Sequence, residues 1–216
     1  MKNLITLAKK AFKPVAVLKY LFFPFMMAQS QGVTDLAHWQ TTANAVAQTG
    51  TAVWVGTNNG IIKVSKKTGK IVRITTDNSS LPSNRVTGIC VTPDENVYAS
   101  TDKGIFRFDG VSHMLISTEN ANLPTDNFTS IASDERGRIF LGTKDKGIVM
   151  MENYRCEVFN KGNSELTSNS VTKVYRDENG LIIGQLDNGN LVAMGSTHMI
   201  LIYDRKSEMN AIANGN

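Results

Sequence analysis

The chain has 216 residues, 41% of them hydrophobic and 7% aromatic, with a formal net charge of +4 and a pI near 9.0. That length and apolar content suffice for one sizeable core or two small ones. Lys2, Lys9, Lys10, Lys13 and Lys19 place five positive charges in the first 30 residues, which hold no Asp or Glu; taking them from +4 leaves −1, and a near-neutral remainder gives no basis for nucleic-acid binding.

The basic start leads into an apolar run from Tyr20 to Ala28, and the small residues Ala28 and Ser30 give it an A-x-A-like end. Residues 1–30 therefore read as a secretory signal peptide cut after Ser30, and the rest of the chain as periplasmic, cell-surface or secreted. A permanent anchor fits less well, because the uninterrupted run is about half of the ~20 residues that span a bilayer. Lys19 and Pro24 interrupt any longer version, and no Cys near the cut suggests a lipid anchor. Export would permit a disulfide, but Cys90 and Cys156 lie in apolar strand-like stretches, VTGICV and RCEVF, where two buried free thiols are the expectation.

His38 to Asn44 resembles the end of an outer strand and reads as a strand that closes a ring. A repeat follows. Val53-Trp54-Val55-Gly56-Thr57 with Gly60 returns as Val97-Tyr98-Ala99-Ser100-Thr101 with Gly104, and as Ile139-Phe140-Leu141-Gly142-Thr143 with Gly147. A weaker copy runs from Leu181 to Gln185 with Gly189, so the marker glycines are 44, 43 and 42 residues apart. Within the second unit, VTGICV is a buried inner strand and VYAST a second strand. GIFRF follows across the tight Asp102-Lys103-Gly104 turn, and HMLIS is the outer strand. Polar linkers join the units: DNSSLPSNRV (Asp77 to Val86) has its twin in ENANLPTDNF (Glu119 to Phe128). In the first linker, Leu81 is expected at the interface between units and Pro82 to stiffen the crossing.

Four-stranded units of about 40–45 residues have the size of propeller blades, which bury both faces only by stacking. The expected fold is all-β: a β-propeller-type array of about four four-stranded antiparallel blades, near 44–83, 84–125, 126–168 and 169–209, with 210–216 a frayed tail or the start of a truncated blade. Units of the form N-x-V-T, D-x-x-G, I-W-I-G-T, G-I and S-x-L-P resemble the two-component regulator propeller repeat, over roughly Trp39 to Met209. That resemblance implies an extracytoplasmic sensor propeller of bacterial hybrid histidine kinases and related surface proteins, with a glycan-type ligand. Departures are Tyr98, Phe140 and Ile182 in place of Trp54, TPDEN in place of the D-x-x-G turn kept at Asp134–Gly137 and Asp177–Gly180, and a fourth unit without Leu-Pro. Sensors of that family carry more blades and further domains, so the chain reads as a four-blade module, a partial propeller or a truncated remnant of a larger one, with a homodimer closing one ring as the alternative assembly.

Antiparallel alternation places the second-to-third turns and the linkers at one end. That end gathers the candidate ligand-binding residues Asn58, Asn59, Asn84, Arg85, Lys103, Asn127, Lys144 and Asn169, which could hydrogen-bond an oligosaccharide or a protein partner. Turn chemistry alone also explains Asn and Asp there. At the other end, Asp94-Glu95, Asp134-Glu135 and Asp177-Glu178 recur once per unit and are too dispersed for the six to eight oxygens of a calcium site. His113 and His198 occupy matching outer-strand places two units apart, not a general acid/base pair. Inner strands offer Lys173 and hydroxyls but no His or carboxylate, and Gly56 to Gly60 lacks the Lys-Ser/Thr of a phosphate loop. The expectation is a binding module without catalytic residues, metal or cofactor; a propeller lyase or hydrolase is the alternative least supported.

Overall fold

The marker glycines sit where the backbone must turn with positive φ and no room for a side chain. In this computed structural model, which describes residues 42–194 and 199–207, Gly60, Gly104 and Gly147 have φ of 96°, 118° and 86°. A Cβ on Gly60 would lie 2.3 Å from the Ile74 carbonyl oxygen, and one on Gly147 2.0 Å from that of Phe159. Only glycine combines that φ with so close a backbone approach. The leader, His38, His198 and the tail from 210 lie outside the described residues.

Four antiparallel sheets are formed from consecutive strands. They are β1 (Ala43–Gln48), β2 (Ala52–Thr57), β3 (Gly60–Ser65) and β4 (Ile71–Ile74); β5 (Val86–Val91), β6 (Val97–Thr101), β7 (Gly104–Phe108) and β8 (His113–Ile116); β9 (Phe128–Ser133), β10 (Ile139–Thr143), β11 (Ile148–Glu152) and β12 (Arg155–Phe159); and β13 (Val171–Arg176), β14 (Ile182–Leu186), β15 (Leu191–Met194) and β16 (Met199–Tyr203). Strand order within each sheet follows chain order. One expectation changes: Ala43 and Asn44, read as the end of an outer strand, begin the inner strand β1, paired with β2 through Ala43–Thr57 and Ala45–Gly56.

Buried threonines close the second-to-third turns. The hydroxyls of Thr57, Thr101 and Thr143 donate to the carbonyls of Gly60, Gly104 and Gly147 at 2.8, 2.8 and 2.7 Å. The fourth unit has Leu186 there and closes its turn by the Leu186 amide on the Asn190 carbonyl at 3.0 Å. On the opposite turns, Asp134 Oδ1 accepts the amides of Arg136 and Arg138 at 2.9 Å each, and Asp177 Oδ1 those of Asn179 and Leu181. The TPDEN turn reaches the same shape with Glu95 at φ 63°, where Gly137 and Gly180 have 79° and 85°. Its carboxylate then accepts the Gly50 amide of the first sheet at 2.8 Å.

The linker phrase is a hydrogen-bonded device. Asn78, Asn120 and Asn163 each accept an amide through Oδ1, from Thr75, Ser117 and Asn160 at 2.9, 2.9 and 2.8 Å. Each also donates through Nδ2 to an outer-strand carbonyl, of Arg73, Leu115 and Val158. Leu81, Leu123 and Leu166 follow, at most 7% exposed, each in a different inter-sheet core.

The inner strands stack in order, β1 on β5, β5 on β9 and β9 on β13. Between the sheets lie three apolar clusters: Trp54, Ile89 and Phe106; Phe128, Ile131 and Leu141; Phe140, Val174 and Met199, with their neighbours. Polar bonds cross the same interfaces, from Ser133 Oγ to the Val91 carbonyl at 2.9 Å and from the Val174 amide to Ser130 Oγ at 2.8 Å. Cys90 and Cys156 are both free, Cys90 buried and Cys156 half-buried.

Candidate functional site

The second-to-third turns and the linkers meet at one end of the stack. The amides of Gly60, Gly104 and Gly147 donate to the linker carbonyls of Asn84, Asp126 and Asn169 at 2.7, 2.7 and 2.8 Å, and the Asp187 amide donates to that of Ser170. Asn58 and Asn59 thus lie beside Asn84 and Arg85, Lys103 beside Asp126 and Asn127, and Lys144 beside Asn169. Arg85 reaches Asp102 across 3.7 Å, tying the first linker to the second sheet's turn.

Two of these side chains are committed to the fold. Asn84 Oδ1 accepts the Thr76 amide at 3.0 Å and Asn169 Oδ1 the Lys161 amide at 2.9 Å. Their equivalent is Asp126, whose Oδ1 accepts the Thr118 amide at 2.7 Å, rather than Asn127. Asn127 instead matches Arg85 and Ser170: each amide of this set donates to a hydroxyl two residues back, Thr125, Ser83 and Ser168. Asn58 accepts from Asn44 Nδ2 at 2.9 Å. Asn58, Asn59, Arg85, Lys103, Asn127 and Lys144 are exposed. Asp102 adds a carboxylate oxygen, Oδ1, that is buried without a hydrogen-bond partner.

The opposite turns carry their charges in local pairs. Asp134 binds Arg138 Nε at 2.6 Å, and Glu135 pairs with Arg176 of the next sheet. Asp94 accepts from Thr92 and Asn96 of its own turn. His113 opens the outer strand β8 as expected, where its Nδ1 accepts the Ser80 amide at 3.2 Å.

The sequence did not point to two grooves between the outer halves of neighbouring sheets. One, of about 630 Å³, lies between sheets 1 and 2 and includes Trp54, Lys63, Lys70, Arg73, Phe108 and His113. The other, of about 400 Å³, lies between sheets 2 and 3 and includes Asp94, Tyr98, Arg107, Glu135, Arg136 and Tyr154. They are built alike: Lys63 pairs with Trp54 across β3 and β2 as Arg107 pairs with Tyr98 across β7 and β6. Burial raises the Tyr98 hydroxyl pKa, and the Arg107 charge works against that rise. The signal available in the sequence was a cation 44 residues from a cation, at the same place in two units.

Stacked four-stranded sheets with inner strands in register define a propeller-type all-β array, consistent with a partial propeller. No protein-family model and no curated protein matches the sequence. Solved structures do. The extracellular domain assigned to the hybrid two component system BT3049 of B. thetaiotaomicron superposes with a TM-score of 0.64 at 17% identity, over 78% of this chain and 24% of that one. Virginiamycin B lyase from Staphylococcus aureus gives 0.58 at 11% identity, over 76% and 56%. The computationally designed Ika4 protein gives 0.53 at 16%, over 72% and 91%. The chain thus spans about a quarter of the two-component domain it is similar to. These likenesses concern the fold. Among the described residues, no helix is long and apolar enough to cross a membrane.

Proposed function

We propose that the chain is an exported, non-catalytic propeller module that binds a hydroxyl-rich ligand or a protein partner at the end where turns and linkers meet. The observation that supports this most is the chain of glycine-to-linker hydrogen bonds, which holds the exposed Asn58, Asn59, Arg85, Lys103, Asn127 and Lys144 on rigid turns along one rim. Rigid display of donors and acceptors suits recognition, because little ordering entropy is lost on binding. Similarity to the extracellular domain of a two-component protein supports a sensing role outside the cytoplasm, exercised through a partner. The test is a glycan panel screened with the full chain and with Arg85→Ala, Lys103→Ala and Lys144→Ala. Ligands lost in these variants support the rim; binding that persists in all three counts against it.

A second reading is self-assembly. Four sheets enclose three inter-sheet cores, so each terminal sheet has one face without a neighbouring sheet from the described residues. Val46, 38% exposed, lies on the face of β1 opposite to Ala45 and Ala47, which pack into the first core. Two copies joined by such faces would close a longer ring. Light scattering after gel filtration distinguishes a discrete dimer from a monomer.

A further inference from the structure

Two of the three inter-sheet junctions share a hydrogen bond at one register. Asn44 Nδ2 of β1 donates to the Val86 carbonyl of β5, and Thr129 Oγ1 of β9 to the Val171 carbonyl of β13, each at 2.8 Å. Each donor is the second residue of an inner strand and each acceptor the first residue of the next inner strand. Carried one step further, the rule makes the exposed Thr172 the donor of sheet 4 and the Ala43 carbonyl the acceptor of sheet 1. The Thr172 hydroxyl would exchange for it a 3.1 Å bond to the Gln185 carbonyl of its own sheet. A bond in the reverse sense repeats the logic. Ser133 Oγ donates to the Val91 carbonyl, and both are last residues of inner strands. Their equivalents at the two ends of the stack are the exposed Gln48 of sheet 1 and the Arg176 carbonyl of sheet 4.

The faces that carry these groups are apolar across their middle. On sheet 1, strand register puts Val46, Val55 and Ile62 in one row on the face turned away from sheet 2. On sheet 4, Tyr175, Ile183, Ala193 and Ile200 form the matching row on the face turned away from sheet 3. None of these seven belongs to the three inter-sheet cores. Val46 is 38% exposed, and Ile62, Tyr175 and Ile200 are half-buried. One chain does not cover its own ends: inner-strand packing runs β1 to β5 to β9 to β13, and among the described residues no comparable packing joins β13 to β1. The two faces suit each other better than either suits itself, since one supplies the donor at the second inner-strand position and the other the acceptor at the first. Stacked inner strand on inner strand, Lys173 of β13 and Arg73 of β4 lie at opposite margins of the junction, so no cations meet.

We propose that two copies of the chain join head to tail, the end face of sheet 4 in one copy on the end face of sheet 1 in the other, with Thr172 donating to the Ala43 carbonyl and Gln48 to the Arg176 carbonyl across each junction. The proposal rests on the self-assembly reading and specifies its geometry: the junction is heterologous and occurs twice, which closes a ring. Two copies of four sheets make about eight blades, within the usual range for propellers. Stacking in this sense keeps all second-to-third turns at one end, so the rim continues from one copy onto the other. Sedimentation velocity of the full chain and of Val46→Lys and Tyr175→Lys, each alone and then mixed, tests it. The wild-type protein is expected to be a dimer. Each variant alone has lost a face that every junction needs, and an unpaired ammonium there should raise the dimer dissociation constant about tenfold or more. The mixture should recover a heterodimer, weaker than wild type because it has one junction, since Val46→Lys keeps the sheet 4 face and Tyr175→Lys keeps the sheet 1 face. Thr172→Lys, at an exposed position, replaces Tyr175→Lys if that variant does not fold. A wild-type monomer would overturn this proposal and the self-assembly reading together. A dimer abolished by one variant and untouched by the other, with no recovery on mixing, would mean like face on like face; it would overturn the proposal and leave self-assembly standing. Oligomers growing beyond the dimer would overturn closure by two copies.

Discussion

The Gly147 amide donates to the Asn169 carbonyl at 2.8 Å, while the Asn169 side chain accepts the Lys161 amide at 2.9 Å. One linker residue therefore joins the turn inside the third sheet to the crossing that leaves it. Because Asp126 makes the corresponding bond with Thr118, an acceptor oxygen is what the position needs. Asn169→Ala should destabilise the fold by about 1 kcal/mol, the usual net worth of such a bond. Asn169→Asp should lose much less. Urea unfolding checks both, with the midpoint moving and the m-value unchanged.

Gly147→Ala separates strain from contact. Gly110 has φ 96° with nothing near its missing Cβ, whereas Gly147 has φ 86° with the Phe159 oxygen 2.0 Å away. Gly110→Ala should cost about 1 kcal/mol, from positive φ alone. Gly147→Ala should cost about 3 kcal/mol or more, since strand β12 must move as well. Equal midpoints for the two variants would show that the outer strand yields freely.

The period was legible because the features that recur are those the backbone cannot do without. Gly60, Gly104 and Gly147 are fixed by φ and by the carbonyl against them, and Leu81, Leu123 and Leu166 by burial between sheets. The strand order followed from the period. Register within the linkers was not legible: the sequence pointed to Asn127, and the Gly104 amide on the Asp126 carbonyl together with the Thr118 amide on Asp126 Oδ1 moves that role to Asp126. The grooves were hidden for a different reason. Lys63 and Arg107 look like ordinary outward residues of alternating strands; Arg107 meets Tyr98 within its own sheet, whereas the approach of Lys63 to Phe108 depends on how sheet 1 leans on sheet 2.

Asp109 makes the turn between β7 and β8 sensitive to acid. Its carboxylate accepts the amides of Ser112 and Val111 at 2.8 and 3.0 Å, and these bonds lower its pKa to about 2 from 3.8. A carboxyl depressed in the folded state contributes stability above its unfolded pKa and loses it as pH falls through the folded one. Stability should therefore decline between about pH 4 and pH 2, and that part of the decline should vanish in Asp109→Asn. The Asp109 carboxylate is partly exposed and screened by solvent, so the effect is best read as a difference in acid midpoint between the two proteins.

Cys90 gives the alkaline counterpart. Burial between sheets 2 and 3 pushes its thiol up to about 12 from 9.0, and the Ser133 hydrogen bond offsets only part of that rise. A thiol reacts as its thiolate, so native Cys90 should be inert to a disulfide reagent at pH 8 and become reactive on unfolding. Cys156, half-buried and with its pKa raised by burial, should react first but slowly. The linkage has a definite sign. The unfolded chain releases the Cys90 proton near pH 9 and the folded chain holds it until about 12, so stability falls as pH rises through that window. Cys90→Ala, although it costs packing, should flatten that slope. An unfolding midpoint that drops equally between pH 8.5 and 10.5 in both proteins would place the alkaline loss elsewhere in the fold.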